Sequence, residues 1–259
     1  MYRSILVCQD ASEESLRALE MAIWIAGVTR AHLTLIHLHG RKLPLISPTP
    51  LPDAQALLEQ RSSSCREAGI ECSRQMVEGW TTQALVAETK WHDLVVVGKH
   101  GASRRNREHG LGSLPTALLS TCPVPVLIAD DRGALPDTLL VAFDESPDAC
   151  SALRIAASLA MERELRLHVV EVVSKPGRRD KLARARAYLD DCPALEAEVE
   201  RFVGRPGNVL LDTIRERDAQ LTFVPALARS RLAHTLAVRI ANETASSIVV
   251  PQGRMRPIY

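Results

Sequence analysis

The sequence predicts two doubly wound α/β domains in tandem, each built on a parallel sheet with helices on both faces. Three observations carry this. Residues 3–38, RSILVCQDASEESLRALEMAIWIAGVTRAHLTLIHL, can be laid over 137–172, DTLLVAFDESPDACSALRIAASLAMERELRLHVVEV, the mark of an internal repeat. The interval from Asp10 to Leu38 is 28 positions, as is that from Asp144 to Val172. Finally, short runs of Val, Ile and Leu alternate with stretches of helical spacing, the pattern of a parallel sheet buried on both faces.

The elements follow in order. Each half opens with an apolar strand ending at an acid, Asp10 or Asp144. Ser12 with Glu13 and Glu14 then marks a helix start, and Ser146-Pro147-Asp148 marks the equivalent one. A serine at the cap, a proline at the first position and acids in the first turn suit the free amides and positive dipole there. An Ala- and Leu-rich helix and a second apolar strand complete each opening unit. RKLPLISPTPLPDA (41–54) carries four prolines and reads as a loop, with a helix following from about Asp53 to Glu67.

Later pieces match more loosely. CSRQMVEGWTTQALVAE (72–88) answers to EAEVERFVGRPGNVLLD (196–212), DLVVVGKHG (93–101) to DAQLTFVPALA (218–228), and CPVPVLIAD (122–130) to ASSIVVPQG (245–253). Each half thus reads β-α-β-α-β-α-β-α-β. The join lies at DRGALPD (131–137), which carries Gly, Pro and charge without an apolar period. Domains over 1–130 and 137–259 have the usual size.

Composition narrows the function classes. The chain of 259 residues is 46% hydrophobic, 24% charged and only 3% aromatic, so its core must be mainly Ala, Val, Leu and Ile. A net charge of +1 gives no steering toward nucleic acid or an anionic membrane. No apolar run approaches a membrane span, and MYRSILV is not laid out as a signal peptide. Cys8, Cys65, Cys72, Cys122, Cys150 and Cys192 are scattered without a CxxC pair, as reduced thiols in a cytoplasmic protein would be. The expected location is the cytosol.

The segment LVVVGKHGASRRNREHGLGSLPTAL (94–118) carries the chemistry. In open α/β sheets ligands bind beyond the carboxyl ends of strands, where the strand order reverses. Asp10 and Gly98 both end strands pointing into that region. Gly98 and Gly101 allow backbone amides close to an anion, and Gly112-Ser113 opens a helix whose N-terminus favours phosphate. Arg104, Arg105 and Arg107 stand between the glycines and could neutralise phosphate charge. Asp10 would suit an adenine amino group or a ribose hydroxyl. Taken by itself the segment equally fits a turn shaped by glycines with solvated arginines. It is neither a GxxxxGK[ST] loop nor a dinucleotide fingerprint.

These residues resemble the universal stress protein family in tandem form, over essentially the whole chain. The resemblance rests on ILVCQD and LLVAFD at the domain starts, LIHL after the first helix, VVVGKHG, and GS followed by CPVPVLIAD. It implies a Rossmann-like fold of the adenine nucleotide alpha hydrolase-like type. The family's ATP-binding members show G-x2-G-x9-G-[ST] before the last helix. Gly98 and Gly101 match the first glycines, and Gly112 with Ser113 the final pair. Ten residues, 102–111, separate Gly101 from Gly112, one more than that pattern. By resemblance, Asp10 and the backbone of Leu38 would hold adenine, and the glycines and Ser113 ribose and phosphates. The implied ligand is ATP, with Mg as its accompanying ion.

The second half departs from the pattern. VPALA (224–228) replaces VGKHG, Pro225 lacks an N–H where Gly98 has one, and RSRLAHTLAVRIANETASS (229–247) leaves no loop of the needed length. Asp144 alone reads as a turn-capping acid, so this domain is expected to have lost triphosphate binding. Its expected role is structural. The family pairs last-strand edges between domains, so IVV (248–250) would pair with VPVLI (124–128) as an internal pseudo-dimer; whether tandem chains pair further is left open.

Other candidates read more plainly. His37 and His39 lie two apart on one strand without partner ligands, which fits packing better than metal. His100 and His109 flank the loop and could touch a phosphate or simply be solvated. RRDKLARAR (178–186) makes a basic helix face, and Trp80 and Trp91 should cover the apolar face of the helix between them. No catalytic triad, H-E-x-x-H or G-x-S-x-G is present. Three functions therefore stand: an ATP-binding stress-response protein with a regulatory output, an interaction scaffold that binds no nucleotide, and a slow ATPase or adenylating enzyme.

Overall fold

The computed structural model describes residues 1–39, 54–78, 82–101, 110–130, 135–177, 179–225 and 231–251. It divides into two units, Met1–Asp131 and Arg132–Tyr259. The first runs β1 (Ser4–Cys8), α1 (Glu13–Thr29), β2 (His32–His39), α2 (Ala54–Glu67), β3 (Cys72–Glu78), α3 (Thr82–Thr89), β4 (Leu94–Gly98), α4 (Ser113–Thr121) and β5 (Val126–Ala129). Its strands lie in the order β3-β2-β1-β4-β5, every pair parallel. The order reverses between β1 and β4, so the crevice beyond their carboxyl ends is the ligand position of this architecture.

The second unit repeats the plan: β6 (Thr138–Ala142), α5 (Pro147–Arg163), β7 (Arg166–Val173), α6 (Ala183–Asp190), β8 (Ala197–Val203), α7 (Pro206–Glu216), β9 (Leu221–Phe223), α8 (Arg231–Glu243) and β10 (Ser247–Val250). Its order is β10-β9-β6-β7-β8, again parallel throughout. This is the doubly wound α/β architecture that the repeat and the strand pattern predict.

Local chemistry explains why α1 and α5 form alike. Ser12 Oγ accepts from Ser15 N at 3.1 Å, and Ser146 Oγ from Ala149 N at 3.1 Å, satisfying an amide that has no partner within the helix. Both helices close on a left-handed residue, Arg30 at φ 56° and Glu164 at φ 54°, whose N–H donates to Ala26 O and Ala160 O. Between the caps, Ala18, Ala22 and Ala26 are buried along α1, and Ala152, Ala156 and Ala160 along α5. This i, i+4 stripe of small side chains faces the sheet. The core beneath is aliphatic: Ile5, Leu6, Val7, Leu33, Leu35 and Val95 are fully buried in the first unit, and Leu139, Leu140, Val141 and Val169 in the second.

Two expectations are corrected. Trp91 is 73% exposed and covers no helix face, because it falls beyond the end of α3 in the turn where its amide bonds to Glu88 O; Trp80 lies outside the described residues. The basic run RRDKLARAR is also not one helix face. Asp180 Oδ1 accepts from Leu182 N at 2.9 Å, a turn that delays α6 until Ala183. The four-proline segment and the start of the join likewise fall outside the described residues.

Candidate functional site

Asp10 emerges from β1 at the reversal point. Its Oδ1 accepts from Ser12 N at 2.9 Å and from the Ser12 hydroxyl, while its own carbonyl accepts from Ser15 Oγ at 2.6 Å. One carboxylate oxygen thus shapes the turn into α1. The other, Oδ2, faces Gly101, where an added Cβ would stand 3.1 Å from it. The geometry brings the acid after β1 and the glycine after β4 together across the crevice. Burial first, and then the Asp10 charge, push the Cys8 thiol upward, so it stays protonated beside the acid.

The three glycines do different things. A Cβ on Gly98 would fall 2.7 Å from the backbone carbon and oxygen of Glu14, so Gly98 lets the end of β4 run against the first turn of α1. Gly101 leaves the space before Asp10. Gly112 caps α4 with φ −58° and ψ 161°, and no side chain caps that helix. Its amide donates to Lys99 O at 2.9 Å, and His100 Nε2–H donates to Gly110 O at 2.7 Å. The base of the β4–α4 connection is therefore tied at 99–100 and 110–112. Ser113 is exposed at the helix start. Arg104, Arg105, Arg107 and His109 lie outside the described residues, as does most of the lengthened stretch.

Leu38 is half-buried near the end of β2 and pairs with Val77. Its neighbour His37 contacts the β1 end through Nδ1 and Gln9 O at 2.9 Å, a packing role of the kind the sequence favours; the His39 side chain is not described. Arg61 of α2 went unnoticed in the sequence. Its Nε is buried without a hydrogen-bond partner. Burial lowers its pKa, with the nearby Asp10 and Glu20 opposing. The available signal was a cation in mid-helix, a turn before Arg66, inside AQALLEQRSSSCRE, a helix that buries Leu57, Leu58, Ser62 and Cys65.

The strand ends of the second unit carry a charge network of their own. Asp144 Oδ1 accepts from Ser146 N at 3.0 Å, the turn-capping role expected of it. Glu171, 2% exposed, lies 3.3 Å from Arg201 Nε. Arg201 Nη2 donates to Arg179 O at 3.2 Å, and Arg179 Nη2 donates to Glu145 Oε1 at 3.3 Å. Strand register puts Glu171 and Arg201 where the first unit has His37 and Met76. Pro225, buried and without an amide proton, takes the place of Gly98.

With this geometry in place, similarity to known proteins decides the family. The Universal stress protein family model matches residues 1–130 and again 136–251. The chain belongs to the universal stress protein family. A universal stress protein of Synechocystis is 20% identical over 265 residues, covering 90% of this chain and 92% of its own. Among solved structures, a universal stress protein from Archaeoglobus fulgidus superposes with a TM-score of 0.70 at 19% identity, over 96% of both chains. A Pseudomonas aeruginosa chain gives a TM-score of 0.72 at 22% identity, over 97% of this chain and 93% of that one. These full-length likenesses show that the fold of this universal stress protein is the tandem one. Among the described residues no helix is long and apolar enough to cross a membrane.

Proposed function

We propose that this universal stress protein binds one adenine nucleotide per chain, ATP with Mg, in its first unit, and that binding serves a regulatory stress-response role. The observation that carries the reading is Asp10 Oδ2 facing Gly101 at the strand-order reversal, beside a connection tied to the uncapped start of α4. The first-turn amides of Ser113 and Leu114 and the positive end of the helix dipole suit a phosphate there. Asp10 Oδ2, on the side of Gly101, is an acceptor that suits a donor such as the adenine amino group. In the second unit Pro225 stands at the Gly98 position and Asp144 serves its turn, which supports the reading of a single site.

Calorimetric titration with Mg-ATP tests this. One site per full-length chain is expected. Asp10→Asn keeps an oxygen for the Ser12 turn but replaces the outward acceptor by a donor, so it should weaken binding about tenfold, the usual worth of a hydrogen bond to a charged group. Asp144→Asn should leave binding unchanged. No heat with the wild-type chain sinks the nucleotide reading; two equivalent sites sink the claim about the second unit. The scaffold reading has its own support, since Gly98 is already required by Glu14 and Asp10 by its turn; an absence of heat would favour it.

A further inference from the structure

Toward the amino-terminal ends of the second sheet, away from Asp144, β7 and β8 bring an imidazole and two carboxylates together. Register pairs His168 with Glu198 and Val170 with Glu200, so His168, Glu198 and Glu200 stand on one face of the sheet. One ligand atom from each lies within 4.8 Å of the others. The His168 side chain is only 6% exposed, and its Nδ1 points at Glu198 Oε2 from 3.3 Å without making a hydrogen bond. Two ligands of a tetrahedral zinc ion, each about 2.1 Å from it, stand about 3.4 Å apart. The His168–Glu198 separation is that of one such edge.

Solvent access and the contrast with the first unit point the same way. β8 is the edge strand of its sheet, and the Glu198 side chain is 54% exposed, so an ion can enter from solvent. The first unit has Thr34, Ser73 and Gln75 at the matching register positions, with Thr34 Oγ1 and Ser73 Oγ 3.3 Å apart. At these three positions the metal-ligating side chains are thus confined to one repeat.

We propose that His168, Glu198 and Glu200 bind a divalent transition-metal ion, zinc by donor set, with a fourth position open to water. Without metal, Arg217 beyond the end of α7 serves as counter-ion. Its Nη2 donates to both Glu200 oxygens at 2.8 and 2.9 Å, and its Nη1 lies 3.4 Å from Glu198 Oε2. The ion and the guanidinium compete for the same carboxylates, and a one-third-exposed arginine side chain has room to swing into solvent as the metal enters. This competition separates a metal site from a purely structural ion-pair cluster. Removing Arg217 weakens the cluster but strengthens the metal site.

The test is calorimetric titration of the chelator-treated full-length chain with Zn²⁺, with Co²⁺ absorption as a second readout. The expected result is one equivalent per chain and a cobalt spectrum without a thiolate charge-transfer band. His168→Asn and Glu198→Gln should each weaken binding beyond the roughly 10–100-fold effect of an outer-shell change, while Arg217→Gln tightens it. Circular dichroism identifies any variant that fails to fold, and Arg217→Gln still tests the competition independently. No binding by the wild-type chain, unchanged affinity in both ligand variants, a thiolate band, or no tightening in Arg217→Gln would overturn the assignment.

Discussion

Glu171 and His37 hold the same place in their repeats, and so do Arg201 and Met76. A carboxylate as buried as Glu171 is tolerable because Arg201 stands 3.3 Å away. Arg201→Met, which restores the residue of the first repeat, strands that charge and should cost about 3–5 kcal/mol. Adding Glu171→Leu removes the stranded charge, and most of the loss should return. Denaturant midpoints of the wild-type chain and the two variants check this; a single variant as stable as wild type would mean that the pair does not hold the strand ends. Asp10 teaches a related lesson. The sequence marks it as a strand-end acid, but its division of labour, one oxygen to the Ser12 turn and one toward Gly101, depends on a residue some ninety positions away.

Among the elements, the connections carry most of the information. The glycines of the β4–α4 segment are visible in the sequence, yet their separate uses are not. Gly98 answers to the backbone of Glu14 in α1, a tertiary contact that no local motif encodes. His100 likewise ties the base of the connection to Gly110, where the sequence reads either a phosphate contact or a solvated side chain. The turn from α3 into β4 is anchored by His92, whose Nδ1 lies 2.7 Å from Ser4 Oγ at the start of β1. Burial lowers the His92 pKa, with His32 adding to the effect and Glu88 and Asp93 opposing it. The unfolded chain therefore binds the proton more readily. Stability should be unaffected by this group above about pH 6.5, and should fall as pH drops below that value toward the lowered folded pKa. His92→Gln should flatten part of that acid slope in urea titrations at about pH 7.5 and 5.5. An unchanged slope would refute the role.

Over the whole molecule, duplication makes the fold legible and divergence makes the sites hard to read. The 28-residue interval, the caps at Ser12 and Ser146 and the alanine stripes repeat in register, so the second unit confirms what the first suggests. Glu171 and Arg201 escape notice because each looks like an ordinary interruption of an apolar strand, in RLHVVEVV and AEVERFV. Only the parallel register shows that they meet. His168, Glu198 and Glu200 escape for the same reason, since 30 residues of chain separate the imidazole from the first carboxylate.

The left-handed residues that close α1 and α5 provide a calibrated pair of thermal reporters. Arg30 and Glu164 occupy matching positions, and each carries a Cβ in a conformation that glycine adopts without penalty. After allowing for the greater freedom of an unfolded glycine, Arg30→Gly and Glu164→Gly should each gain roughly 0.5–1 kcal/mol. Scanning calorimetry of the two variants then reports how cooperatively the chain melts. If the halves unfold as independent blocks, each glycine moves one transition and leaves the other in place; if they unfold together, both variants shift a single peak by the same amount. A structural echo between two helix ends thereby becomes a measurement of how far gene duplication has yielded separate folding units.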